Sequence, residues 1–265
     1  MTSALVKSAR YHGNNYEVTI LLMDFNDDQK EKATKIFEKD SKIEFIQASH
    51  EDFGFLRKDR FEFYRNCRPR YFKNMLESGS DSVLTLGSNG IIRTDLEFIR
   101  KIIEDDGGCD FCFMERTTEI NGKEVRNIHE ADREMLRRRR SPARLEKSRK
   151  ARELSRIVLL GTHGIRNNSR TIAVIKRWQE MIEQSRFIES RGSDMGLFVK
   201  AYLELEEKLG LTKETDWDKP RSENRFVDTH LRDNANIWFA KSRNKWNNPK
   251  YLEAVSFFNN WEYSL

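Results

Sequence analysis

Hydrophobic and polar positions along the chain alternate between two periods, two residues and about three and a half, and this alternation predicts strands interleaved with helices. Tyr16–Phe25 (YEVTILLMDF) is a continuous apolar, β-branched run ending at Asn26-Asp27-Asp28, the pattern of a buried strand. Asp28–Lys39 carries Ala33, Ile36 and Phe37 at helical spacing, and Lys42–Ala48 (KIEFIQA) alternates as a strand does. A helix is predicted over Arg65–Ser78, with Pro69 near its start and Ser78-Gly79-Ser80 at its end. Asp81–Leu86 (DSVLTL) is a short buried strand, followed by the turn Gly87-Ser88-Asn89-Gly90 and a helix from Thr94 to about Glu104. Strands are predicted at Asp110–Met114 and Ile157–Gly161. Helices follow at Ser169–Arg186, with Ile172, Ile175, Trp178 and Ile182 on one side, and over 193–209, with Phe198, Leu205 and Leu209 inward. No internal repeat is visible. Strand–helix alternation of this kind implies an α/β fold, a mainly parallel mixed sheet flanked by helices, with ligands at the carboxyl ends of strands.

Composition narrows the class. In 265 residues, 37% hydrophobic and 11% aromatic content is enough for a core, which excludes wholesale disorder. No apolar run approaches the length of a membrane span and Met1–Gly13 lacks the pattern of a secretory signal, so a cytoplasmic location is expected. Cys67, Cys109 and Cys112 are too few for a disulfide framework. Cys109-x-x-Cys112 has no second pair to complete a zinc site and lies in a strand-like segment, which favours a structural reading. Charge is concentrated: Arg133–Arg156 holds 11 basic and 3 acidic residues, a local +8 that leaves −3 for the rest of a chain whose total is +5.

The turn Gly87-Ser88-Asn89-Gly90 sits where an α/β fold binds ligands, and its small residues allow close approach of a ligand to backbone, although many ligand-free turns have the same composition. With the flanking CRPRYFKNMLESGSDSVLTLGSNGIIRTDLEFI, this turn marks a sequence that resembles GT-A-type nucleotide-sugar glycosyltransferases. CRPRYFKNMLESGSDSVLTLGSNGIIRTDLEFI is similar to the family's central helix, strand, DxD triplet and following helix start. LLGTHGIRNNSRTIAVIKRWQEMIEQ resembles its "G-x-x-x-I-R-N" strand and helix, Ser193-Asp194-Met195-Gly196-Leu197 its "D-Q-x-x-L" helix start, and IWFAKSRNKW the loop that closes over the donor pyrophosphate. The resemblance covers about residues 4–114 and 157–255. It implies a single domain over 1–265, a nucleotide-binding first half, and a sugar transferase (hexosyl- or pentosyltransferase) whose co-substrate is a nucleotide-diphosphate sugar, with no tightly bound cofactor.

The departures from the family pattern are informative. In the family the two carboxylates of DxD hold a divalent cation on the donor diphosphate, because hard oxygen ligands suit such ions. Here those positions are Gly87 and Asn89, and the later His ligand falls at Trp238 or Phe239. The DxD is degenerate and no metal ligands are assigned, so either transfer proceeds without that metal or the chain is a catalytically inactive relative. Metal-free transfer requires fixed cations on the leaving diphosphate. The candidates for donor binding, with Gly87, Ser88 and Asn89 of the turn, are Arg68, Arg70, Lys241, Arg243 and Lys245. Arg68 and Arg70 are two residues apart on a helix, so one at most faces a common site. For chemistry, Asp194 matches the family position near the reacting sugar and is equally an ordinary helix cap. His163 could line the acceptor side or be a packed histidine. His230 and Asp228 carry the same two readings. The family's opening strand and base-holding loop precede a helix that Ala4–Ser8 resembles, so either the start lies upstream or the base pocket is built differently.

Residues 115–156 form a basic insertion, with a helix expected from Ser141-Pro142 toward Arg156. Arg137, Arg138, Arg139, Arg140 and Arg144 could neutralise a polyanion: nucleic acid, an acidic glycan, or anionic lipid headgroups in peripheral contact with a membrane. An exposed charged hairpin without a partner is the alternative. The expected acceptor is accordingly a glycan or lipid-linked saccharide, or a hydroxymethylated base of DNA. The competing reading is a non-catalytic nucleic-acid-binding or interaction protein on a decayed transferase scaffold.

Overall fold

The structure is a computed structural model that describes residues 2–51, 67–113, 118–120, 123–125, 162–185, 194–215, 225–228, 231, 233, 235–239 and 247–262. The chain divides into two compact units, both discontinuous in sequence: residues 1–68, 87–98 and 224–265, and residues 69–86 and 99–223.

The first unit opens with α1 (Thr2–Tyr11), which buries Ala4, Leu5, Val6 and Ala9. Ser8 is fully buried on the same face; its Oγ accepts from the Ile92 amide at 2.9 Å and donates to the Leu5 carbonyl at 2.7 Å. Asn14 fixes the end of α1. Its amide group donates to Ala9 and Thr94 carbonyls and its oxygen accepts from the Leu96 amide at 2.6 Å. β1 (Val18–Met23) and β2 (Ile43–Ala48) pair in parallel, joined through α2 (Asp27–Lys35), which Asn26 and Gln29 cap reciprocally. The helix stops short of the expected Lys39, and Ile36 beyond it is exposed. β4 (Gly90–Ile92) pairs antiparallel with β11 (Ala235–Phe239), and β11 pairs in parallel with β10 (Arg225–Asp228). Trp238, Ile91 and Ala4 form one core with Tyr251 and Phe258 from α7 (Pro249–Asn260).

The second unit is a sheet of order β3 (Ser82–Leu86), β8 (Thr162–Arg166), β5 (Phe111–Phe113), β9 (Lys213–Thr215). α3 (Arg68–Glu77), α5 (Ser169–Ser185) and α6 (Asp194–Leu209) bury Phe72, Leu76, Trp178, Ile182 and Phe198 in one core with Val83, Phe111 and Ile165. Ile103 of α4 (Glu97–Glu104) packs over Gly164, where a Cβ would overlap the Ile103 side chain. β6 (Thr118–Ile120) and β7 (Lys123–Val125) make a hairpin in the insertion; its expected helix lies outside the described residues.

Among the described residues the ladders are of both senses, so the sheets are mixed and not clearly mainly parallel. β1–β2, β10–β11 and β5–β9 are parallel, while β3–β8, β5–β8, β4–β11 and β6–β7 are antiparallel. β8 lies between β3 and β5 with its residues 163–165 buried, so its position does not show in the apolar pattern, from which strand direction cannot be read. The strand expected at 157–161 lies outside the described residues; the described one begins at Thr162.

Asp110 ties the second unit together. It is fully buried, and Oδ1 accepts from Asn168 at 2.7 Å and Arg170 at 2.8 Å while Oδ2 accepts from the Thr212 amide at 2.9 Å. Asn168 also caps α5 by accepting from the Thr171 amide, and Asn167 donates to the Leu76 and Ser80 carbonyls. A buried carboxylate is tolerated only when its lone pairs are met in this way. Replacing Asp110 by Asn removes the charge facing Arg170 and puts a donor where two donors converge. Asp110→Asn is expected to cost about 3 kcal/mol, read as a lower urea midpoint; an unchanged midpoint would contradict this role.

Candidate functional site

The turn at 87–90 follows β3 directly and opens the segment of the first unit that contains β4. The Gly90 amide donates to the Gly87 carbonyl at 2.9 Å, closing a four-residue turn. A Cβ at Gly90 would come within 3.2 Å of that carbonyl and 3.3 Å of Leu5, so glycine lets the turn sit tightly on α1. The Tyr251 hydroxyl of α7 donates to the Asn89 carbonyl at 2.9 Å; burial raises the pKa of this phenol, keeping it a donor. Gly90 pairs with Phe239 and Ile91 with Trp238. The chain on both sides of residues 240–246 is therefore anchored at the turn, by Phe239 before them and by α7 after them.

Trp238, which with Phe239 is one of the two positions where the resemblance expects a metal-binding His, is buried, and two cations rest on its ring. Arg93 Cζ lies 4.2 Å and Lys250 Nζ 4.9 Å from the centroid. Both cations also meet Asp233: Lys250 donates to Oδ1 at 2.7 Å, and Arg93 lies 3.4 Å from the same oxygen and donates to the Asp233 carbonyl at 2.7 Å. The Lys250 hydrogen bond, ahead of the charges of Lys250 and Arg93, holds the Asp233 carboxyl below its ordinary pKa. Arg93, Lys250 and Asp233 were not legible in the sequence, because the β4–β11 register brings Arg93 to Trp238 and the packing of α7 brings Lys250 there; the signal in the chain is only an Arg two residues beyond Ile91.

Gly87, Ser88 and Asn89 form the turn. Arg68, half-buried, closes the first unit's opening segment, while Arg70 is exposed in the second unit. His163 is in the second unit's core, 1% exposed, with its ring edge-on to Phe72 at 5.2 Å and tilted against Phe198 at 6.0 Å, the surroundings of a packed residue. Asp194 is the first residue of α6, its side chain outside the described residues, and Asp228 ends β10 with the same limit. Lys241, Arg243, Lys245, His230, Arg137, Arg138, Arg139, Arg140 and Arg144 lie outside the described residues. Cys67 and Cys112 are buried thiols and Cys109 is half-buried. Among the described residues no group of three or more His, Cys, Asp and Glu could hold a metal ion, and no helix is long and apolar enough to cross a membrane.

No protein-family model and no curated protein matches the sequence. Solved structures do match. The galactosyltransferase LgtC, in complex with donor and acceptor sugar analogues, aligns over 97% of this chain and 91% of its own, with TM-score 0.55 and 14% identity. The fold is that of glycosyltransferases. The bifunctional glycosyltransferase WbbM, in its apo form, aligns over 96% of this chain with TM-score 0.55 and 10% identity. The chain spans 47% of the WbbM chain, about half its length.

His12, at the end of α1, reports on this region. Burial first, and then the charge of Arg93, lower its pKa from the ordinary 6.5. The folded form resists a proton that the unfolded chain accepts, so His12 costs nothing above pH 6.5 and subtracts stability as pH falls through the lowered value. Urea melts are expected to show stability falling below about pH 6.5, with a slope that His12→Gln reduces; an unchanged slope would remove His12 as its source. Tyr251→Phe is expected to cost about 1 kcal/mol and to speed amide exchange at Gly90.

Proposed function

We propose that the chain is a sugar transferase that takes a nucleotide-diphosphate sugar as donor and holds the leaving diphosphate with fixed cations instead of a DxD-bound metal. The observation that carries the reading is the similarity to glycosyltransferase structures over nearly the whole chain; the assignment of Gly87 and Asn89 to the DxD positions rests on the sequence resemblance. In the reaction the bond from the anomeric carbon to the diphosphate oxygen breaks, and the diphosphate keeps the electron pair. A bond to an acceptor hydroxyl oxygen forms and that oxygen loses its proton. The expected ligand positions offer a divalent ion little: Gly87 has no side-chain ligand atom, Asn89 supplies one neutral oxygen in place of a carboxylate, and neither Trp238 nor Phe239 has a lone pair to give. Charge on the departing diphosphate must then be met by Arg and Lys. Lys241, Arg243 and Lys245 are assigned to this role from the resemblance of IWFAKSRNKW to the loop that closes over the donor pyrophosphate. Asp194 is assigned to the reacting sugar.

The acceptor assigned is a saccharide. LgtC, of similar fold, was solved with donor and acceptor sugar analogues. The basic insertion would then set which anionic or lipid-linked saccharide is used.

Thermal unfolding with UDP, GDP, CDP, TDP and their sugars, each with Mn²⁺ and with EDTA, tests the reading. A ligand at 100 times its dissociation constant adds roughly 2.7 kcal/mol to folded-state stability. One nucleotide is expected to raise the unfolding temperature equally in EDTA and in Mn²⁺. A shift that requires Mn²⁺ would contradict the metal-free donor site, and no shift with any nucleotide would contradict the transferase reading.

A further inference from the structure

The cluster on Trp238 has the chemistry of an oxyanion seat that already holds an oxyanion. Its floor is an indole ring, 5% exposed. Its walls are Arg93 and Lys250, whose side chains are 26% and 47% exposed, so both cations reach solvent. One oxygen of Asp233 lies against both, at 3.4 Å and 2.7 Å, on a side chain 74% exposed. Lys250 is in the first turn of α7, where the helix dipole adds positive potential. The whole arrangement adjoins the turn, since Trp238 pairs with Ile91 and α7 bonds Asn89.

Resting on the transferase reading above, we infer that Arg93 and Lys250 are a diphosphate seat occupied in the free protein by Asp233, and that the donor diphosphate displaces this carboxylate to take both cations. Two unit charges supply what a single divalent ion would. A diphosphate brings more negative charge and more acceptor oxygens than one carboxylate, and a planar guanidinium beside an ammonium can engage two phosphoryl groups at once. Asp233 keeps the cations oriented on Trp238 while the seat is empty of ligand and competes with weakly charged anions for it. Its exposure makes the exchange cheap, because the displaced carboxylate passes into water.

The test uses inorganic pyrophosphate as probe, titrated calorimetrically into the full chain in EDTA at low salt. Asp233→Asn removes the competitor while keeping the side chain's shape. It is expected to tighten pyrophosphate binding by at least about threefold, whereas Arg93→Gln and Lys250→Met each weaken it by about tenfold. Arg93→Lys, which keeps the charge, is expected to recover part of the loss, and this separates the seat from a variant that fails to fold. Asp233→Asn binding no tighter than the parent chain, or no measurable pyrophosphate binding by the parent chain, would overturn the seat. Nucleotide shifts that persist while pyrophosphate affinity ignores Asp233 overturn the seat and leave the transferase reading. The expected pyrophosphate pattern without any nucleotide shift keeps the seat and overturns the transferase reading.

Discussion

A carboxylate with no exposure to water organises the second unit. Asp110 is held by Asn168, Arg170 and Thr212, which come from the start of α5 and from the segment before β9. Its own carbonyl accepts from Arg166 at 3.0 Å. Without these donors the charge could not be buried beside Phe111 at the start of β5. The strand register follows from them: β8 enters α5 through Arg166-Asn167-Asn168, and Asn167 binds the carbonyls of Leu76 and Ser80 at the end of α3. The order of β3, β8, β5 and β9 is thus fixed at one end by side chains of a single short motif.

In the first unit the corresponding constraint is the backbone of the turn at 87–90. Leu5 beneath Gly90, Phe239 beside it and Tyr251 on the Asn89 carbonyl leave it little freedom. A turn held this firmly presents its backbone to a ligand without paying to order it first. Beside this turn an indole carries two cations, Arg93 and Lys250, with the Asp233 carboxylate against both; in the proposed reading these side chains supply the positive charge that a metal would otherwise bring.

Much of the scaffold was legible in the chain. Apolar runs with clear periods gave β1, β2, β3, α5 and α6 nearly to their ends, because each buries a face large enough to impose its pattern. β8 was legible through the resemblance of its G-x-x-x-I-R-N run more than through apolar periodicity, since Thr162-His163-Gly164 carries no apolar side chain even though residues 163–165 are all buried. Gly164 is there to admit Ile103, which a sequence pattern does not reveal. The I-R-N-N run was recognised by resemblance, whereas its work as a hydrogen-bonding knot around Asp110 required coordinates. Short strands such as β4 and β11 carry too few residues for a period. The β4–β11 register brings Arg93 to Trp238 across a long sequence separation, and α7 brings Lys250 to the same ring, neither of which a sequence period reveals.

The account stands on transfer of a sugar without a metal at the turn. The most direct measurement is release of nucleoside diphosphate from a panel of nucleotide sugars, followed by phosphorus NMR in EDTA and again with Mn²⁺, with saccharide acceptors and with hydroxymethylated DNA. The account predicts release from one nucleotide sugar in EDTA, faster with a saccharide acceptor present. Release that appears only with Mn²⁺, or none with any donor and acceptor, would contradict it.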